Sequence, residues 1–246
     1  MRTSCLFFTA LLLMLIPSAT QAIVLVAAEL PPYVIRAKQG NPSGMVIEIM
    51  EEAARRLGEP LTVELMPLAR ALTETNHRQD VLFVPPVRSA RREHLYDWIA
   101  PLLEEDFVIV TDRRHHPVPL KVQELPALRV GTLRYSFGET LLRQRLNLAS
   151  QTVATEVLNA HKLHRGRINA WVAAWNTILY NQQLGGYDEA RLVRGETLMS
   201  TSLFVAANKA FPAEQKRRWQ ATLAQMRADG SLARIIKQYH YQAPVR

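Results

Sequence analysis

Short apolar runs recur along this chain, each closed by proline or a polar turn, with helix-patterned stretches between them. That alternation constrains the fold more than any other feature. The segments 23–28, 61–65, 81–84, 128–132 and 201–207 have the length and residue types of buried strands. Between them, Val46, Ile49, Met50, Ala53, Ala54 and Leu57 recur on one helical face, and Gly58 and Pro60 end that helix. Further helical patterns are expected over 136–146, 157–165, 212–226 and 231–239, the last two opened by Pro212 and Ser231. Strands alternating with helices predict an α/β fold with mainly parallel sheets.

The first residues read as an export leader. Arg2 supplies a positive start, 5–16 is an uncharged apolar run, and 17–22 ends in small residues, so a signal peptide is expected over 1–22. Cleavage there removes Cys5, the only cysteine, so the mature chain has neither disulfide nor thiol chemistry and its stability comes from its core. The expected location is the periplasm. No later stretch is apolar for long enough to span a bilayer. Lysine and arginine outnumber aspartate and glutamate by 30 to 22, giving a formal charge of +8. The arginines are scattered and not interleaved with aromatic residues, which argues against a nucleic-acid partner. His115 and His116 are adjacent but point opposite ways on an extended chain and have no third ligand nearby in sequence, so no metal is expected. No cofactor is expected either.

The chemically distinctive stretch is 87–102. It follows the run at 81–84, which Pro85 and Pro86 stop. Ser89 stands where a helix N-cap belongs, with Arg92 one turn in. A strand feeding a short helix that offers free N–H groups, a hydroxyl and a guanidinium is a ready anion site. A solvated basic turn is the alternative.

Arg88-Ser89-Ala90-Arg91-Arg92, followed by Trp98 and Pro101-Leu102, resembles the Arg-Thr-Pro-Glu-Arg and Trp-x-x-Pro-Leu stretch of the family 3 periplasmic solute-binding proteins of amino-acid-binding type. The resemblance extends in order along nearly the whole mature chain, though its separate motifs are loose. It implies two lobes closing on a solute: lobe 1 split over 23–108 and 200–246, lobe 2 over 112–196, and hinge strands near 106–111 and 198–204. Ser89 and Arg92 then hold a ligand carboxylate. Tyr33, in the turn after Pro31 and Pro32, takes the place of an aromatic that lies against the ligand. Arg70 faces the cleft from the helix after Pro67. Tyr135 and Ser136 stand where the family has Gly-Thr, and Arg88 and Trp175 complete the expected set.

One departure stands out. Ala174 occupies the position of the aspartate that binds a ligand's amino group, so an ordinary neutral α-amino acid is not the expected solute unless another acid, such as Glu29, supplies the partner. The resemblance implies a monomeric receptor that hands a small polar, carboxylate-bearing solute to a membrane ABC transporter permease, without catalysis. Two alternatives stay open. One is a dehydratase-type enzyme on the same scaffold, for which Glu29 is the only carboxylate placed near the cleft. The other is a sensing module serving a membrane signalling partner.

Overall fold

The computed structural model describes residues 22–37 and 39–244. The leader expected over 1–22 lies, up to its last residue, outside them. Eight strands form one sheet: β1 (Ile23–Ala28), β2 (Leu61–Met66), β3 (Val81–Val84), β4 (Tyr96–Asp112), β5 (Val130–Leu133), β6 (Gln151–Val153), β7 (Ala170–Ala174) and β8 (Leu192–Asn208). Their order is β2-β1-β3-β8-β4-β7-β5-β6.

The order reads as one unit used twice. In the first half β1 lies parallel to β2 and β3, and β3 meets the end of β8 through Leu82–Ala207 and Phe83–Ala206. In the second half β5 lies parallel to β6 and β7, and β7 meets the end of β4 through Phe107–Ala174 to Val110–Trp171. The halves are joined by β4 and β8, each 17 residues long and paired antiparallel from Tyr96–Asn208 to Asp112–Leu192, with four register shifts. Strands β3 and β7 hold corresponding places in the two halves.

Both crossing strands run well past the spans 106–111 and 198–204 expected from the sequence. Pro101 and the charged residues between Leu103 and Phe107 break the apolar pattern of β4. Backbone pairing with β8 carries the strand through that interruption, because bulges absorb the irregular register.

Helices cover both faces. In the first half α1 (Met45–Leu57) packs with α6 (Ala213–Ala228) and α7 (Ser231–Lys237), and α2 (Leu68–His77) covers the opposite face. Trp219, Leu223, Met226 and Leu232 are buried there as their spacing predicts. Arg56 ties α1 to the start of α7 through Asp229 at 2.6 Å and the Ser231 hydroxyl at 2.9 Å. The N-cap of α7 is Gly230, and the Asp229 carboxylate accepts the Ser231 N–H at 2.9 Å. The Ser231 hydroxyl, read from the sequence as the cap, instead donates to the Met226 carbonyl. In the second half the helices are α3 (Phe137–Leu146), α4 (Glu156–His164) and α5 (Trp175–Leu184).

The helical pattern after Ser89 is not realised. Residues 88–95 form successive turns, with Arg92 N–H on the Ser89 carbonyl at 2.9 Å and Leu95 N–H on the Arg92 carbonyl at 3.0 Å. Val87 bridges Leu203 and Tyr96 pairs with Asn208, so the intervening chain must reverse between two fixed points. Two successive four-residue turns, Ser89 to Arg92 and Arg92 to Leu95, accomplish this.

Gly44 sets the most demanding backbone position. Its φ of 116° and ψ of 159° belong almost solely to glycine, and a Cβ there would stand 2.6 Å from the Tyr33 carbonyl oxygen. Gly44→Ala is predicted to destabilise the fold by about 1–3 kcal/mol in urea titrations. Gly40→Ala, where a Cβ meets nothing within 4 Å, should have the smaller effect.

Candidate ligand-binding site

The site lies where the two halves face each other, beside the crossing strands. From the first half comes the turn after β1, in which Leu30 and Val34 bridge and hold Tyr33 inward, 2% exposed. The Pro32 and Tyr33 carbonyls accept the first N–H groups of α1, Met45 at 3.3 Å and Val46 at 3.0 Å, so this helix start is closed to a ligand. From the same half come Pro85, Pro86, Val87 and Arg92. From the second come Leu133, Ser136, Phe137, Glu156, Ala173, Ala174 and Thr177. Together they enclose an inner cavity of about 50 Å³. An outer cavity of about 430 Å³ adjoins it, sharing Leu30, Leu68, Leu133 and Glu156 as walls.

Arg92 reaches across the divide. Its Nη2 donates to the Tyr135 carbonyl at 3.4 Å, and it forms no salt bridge among the described residues. Burial pushes its guanidinium below the ordinary pKa, and Arg91 adds to this against the nearby Tyr96. An arginine partly withdrawn from water and lacking an anion is the kind of group that a carboxylate would complete.

Facing it, Ser136 caps α3 by accepting the Glu139 N–H at 3.2 Å, while the Glu139 carboxylate takes the Tyr135 N–H. Tyr135 adopts φ 62°, a left-handed conformation uncommon for a tyrosine. Gly138 brings the first turn of α3 against β7, since a Cβ there would meet the Val172 carbonyl at 2.8 Å. Phe107 and Phe137 meet edge to face at 4.9 Å and seal the inner cavity beside the crossing strands.

Of the residues singled out from the sequence, Arg92, Tyr33 and Ser136 line the inner cavity, and Glu29 and Tyr135 line the outer one. Four others lie elsewhere. Ser89 is half-buried and its carbonyl closes the turn to Arg92. Arg88 grips Glu93 with two hydrogen bonds and lies over Trp98 and Phe204. Arg70 is exposed and pairs with Glu74 at 3.3 Å. Trp175 donates to Gln242 at 2.7 Å while Arg194 covers its ring at 4.9 Å. Glu29 is paired with Arg36 at 2.9 Å.

Two acids escaped the sequence reading. Glu156, the first residue of α4, is 6% exposed and accepts from Asn159 Nδ2 at 2.8 Å and Trp171 Nε1 at 2.9 Å. Burial raises its carboxyl to about 7. Glu105, in the middle of β4, is fully buried and accepts from Asn176 Nδ2 at 2.7 Å. Its carboxyl is raised to about 8, mainly by burial. Tyr33 and Thr177 lie beside it, and the Tyr33 hydroxyl has no hydrogen-bond partner of normal geometry among the described residues. No local pattern announces either acid, because both are buried by residues distant in the chain. Among the described residues, no group of three histidine, cysteine, aspartate or glutamate side chains is placed to hold a metal.

Two α/β halves on a pair of crossing strands, with an arginine-bearing cleft between them, define a two-lobed binding protein. Residues 22–242 match the bacterial extracellular solute-binding proteins, family 3, and the chain belongs to that family. Its fold is that of the type II periplasmic binding proteins. A histidine kinase sensor domain with similarity to periplasmic binding proteins aligns at TM-score 0.81 and 18% identity, covering 89% of this chain and 96% of that one. A mutant of ArgBP from T. maritima aligns at 0.78 and 18%, over 90% and 95%. The GluR0 ligand-binding core from Nostoc punctiforme, in complex with L-glutamate, aligns at 0.77 and 16%, over 88% and 98%. A comparison with curated protein sequences found no match.

The buried acids give a stability signature. A carboxyl raised in the folded state keeps its proton after the unfolded chain has lost its own, so folding stability falls as pH rises. For Glu105 that window runs from 4.5 to about 8. Glu105→Gln is predicted to flatten the fall in urea midpoint across it, with Glu156 leaving a residual slope that ends near 7. Equal slopes in the two proteins would remove Glu105 as a cause.

Proposed function

We propose that this protein is a periplasmic receptor, exported by a cleaved leader, that captures a small carboxylate-bearing solute between its lobes and delivers it to a membrane ABC transporter. The observation that carries the reading is Arg92, a partly buried guanidinium at the wall of an interlobe cavity with no acidic partner among the described residues. In this reading lobe 1 comprises 23–108 and 200–246 and lobe 2 comprises 112–196. Closure bends β4 and β8 where they pass between the lobes and brings the Arg92 side chain and the start of α3 onto the ligand. The protein performs no chemistry on its solute. Among the described residues no helix is long and apolar enough to cross a membrane.

A second role fits the same capture event. The likeness to a histidine kinase sensor domain, at TM-score 0.81, supports delivery of a ligand-dependent shape to a signalling partner in place of a permease. Binding is common to both roles and is tested first.

A thermal-shift panel of amino acids, organic acids, amines and small peptides should find a carboxylate that stabilises the protein by about 2.7 kcal/mol at a hundred times its dissociation constant. Arg92→Ala should then weaken binding of that compound by about 2–5 kcal/mol in titration calorimetry, and Arg92→Lys should recover only part of the loss. Arg91, exposed beside it, is the control, and Arg91→Ala should leave affinity unchanged. Loss of binding in the Arg91 variant with retention in the Arg92 variant would overturn the assignment.

A further inference from the structure

Glu156 is a buried carboxylate on a cavity wall, held from one side only. Asn159 and Trp171 both donate to Oε2, which fixes the carboxylate plane, and Oε1 has no hydrogen-bond partner among the described residues. The side chain lies on the wall common to the inner and outer cavities. Neither arginine of those cavities, Arg92 or Arg134, forms a salt bridge with it, so this 94% buried acid has no cationic partner among the described residues. An oriented, buried carboxylate facing open space gains most from a cation arriving there.

The surroundings say what else that ligand carries. The walls of the outer cavity include the apolar Leu30, Pro31, Pro67, Leu133 and Leu184, with Glu29 and Arg134 also in the lining, and Leu184 is more than half exposed. A ligand spanning both cavities therefore presents a carboxylate to Arg92, a positive group to Glu156 and an apolar remainder to the outer walls. Ala174, 5% exposed on the inner wall, offers no charge for this purpose.

We infer that Glu156 is the acceptor for a protonated nitrogen of the solute, and that the solute is a carboxylate bearing such a nitrogen together with an apolar group. The inference rests on the capture reading above. It moves the ligand's positive group away from Ala174 and onto the first turn of α4. The carboxyl, held near 7 by burial, gains a reason to ionise only when that nitrogen is present.

Matched probes test it. Calorimetry compares L-phenylalanine with 3-phenylpropionate, L-leucine with 4-methylpentanoate, and L-arginine with 5-guanidinopentanoate, each pair differing by the α-amine. In the wild type at least one amine-bearing member should bind about tenfold or more tighter than its partner, and Glu156→Gln should reduce that advantage to about twofold or less. The amide keeps the acceptor for Asn159 and Trp171, and unchanged binding of the amine-free member shows that the variant is folded. If the amine gives no advantage in the wild type, or the advantage survives in Glu156→Gln, the assignment of Glu156 is overturned while capture at Arg92 stands. If no member of any pair binds, capture and assignment fall together.

Discussion

The long antiparallel pairing of β4 with β8 is the constraint on which the rest of the structure depends. Because both strands pass through both halves, each half borrows its fourth and fifth strands from the same pair. The borrowed neighbour alternates: β8 beside β3 in one half, β4 beside β7 in the other. The cleft follows from this. The parallel strands in each half end toward the junction, and the turns after β1, β3 and β5 converge there with Tyr33, Arg92 and Ser136. A ligand site at the carboxyl ends of parallel strands is the general rule for open α/β sheets.

Charge is arranged around that junction with a consistent logic. Asp106 is held by Arg194 at 2.5 Å and by the Ser200 hydroxyl, both from β8, so this part of the crossing is an ion-paired seam. Its neighbour Glu105 points to the other face, where it meets neutral donors only, and burial favours its protonated form. The tail after α7 reaches the same place: Gln242 exchanges hydrogen bonds with Asn176 at 2.8 and 2.9 Å. Tyr33, Glu105, Asn176 and Gln242 thus form a polar layer between the cavity and the tail after α7. Arg92 and Glu156 differ from this layer because each faces open space and lacks a charged partner among the described residues.

Much of the fold was legible in the sequence. Strands β1 and β3 announce themselves as apolar runs, as does the end of β8 over 201–207, and α1 by the strict recurrence from Val46 to Leu57. The first half of β4 was not legible, because Pro101 and the following acids hide a strand whose pairing comes from β8. Helix α5 was missed because Asn176, Asn181 and Gln182 are buried amides that erase an apolar stripe. Within the site, Arg92 was reached through its neighbours in sequence, although the helix expected around it is a pair of turns. Glu156 was out of reach, since an acid at a helix start is ordinary until Trp171 and Asn159 close over it. The positions of Arg88 and Arg70, given over to Glu93 and Glu74, likewise follow from local ion pairs that the motif did not reveal.

Capture between two lobes is the centre of the account, and a distance across the cleft tests it most directly. Thr73 on α2 and Leu158 on α4 are exposed on opposite sides, and the only native cysteine precedes the described residues. Spin labels at Thr73→Cys and Leu158→Cys should report a distance that shortens and narrows when a binding carboxylate from the thermal screen is added. The same labels in the Arg92→Ala background should show no such change at equal ligand concentration. A distance distribution unaltered by a ligand that calorimetry shows to be bound would contradict capture by closure.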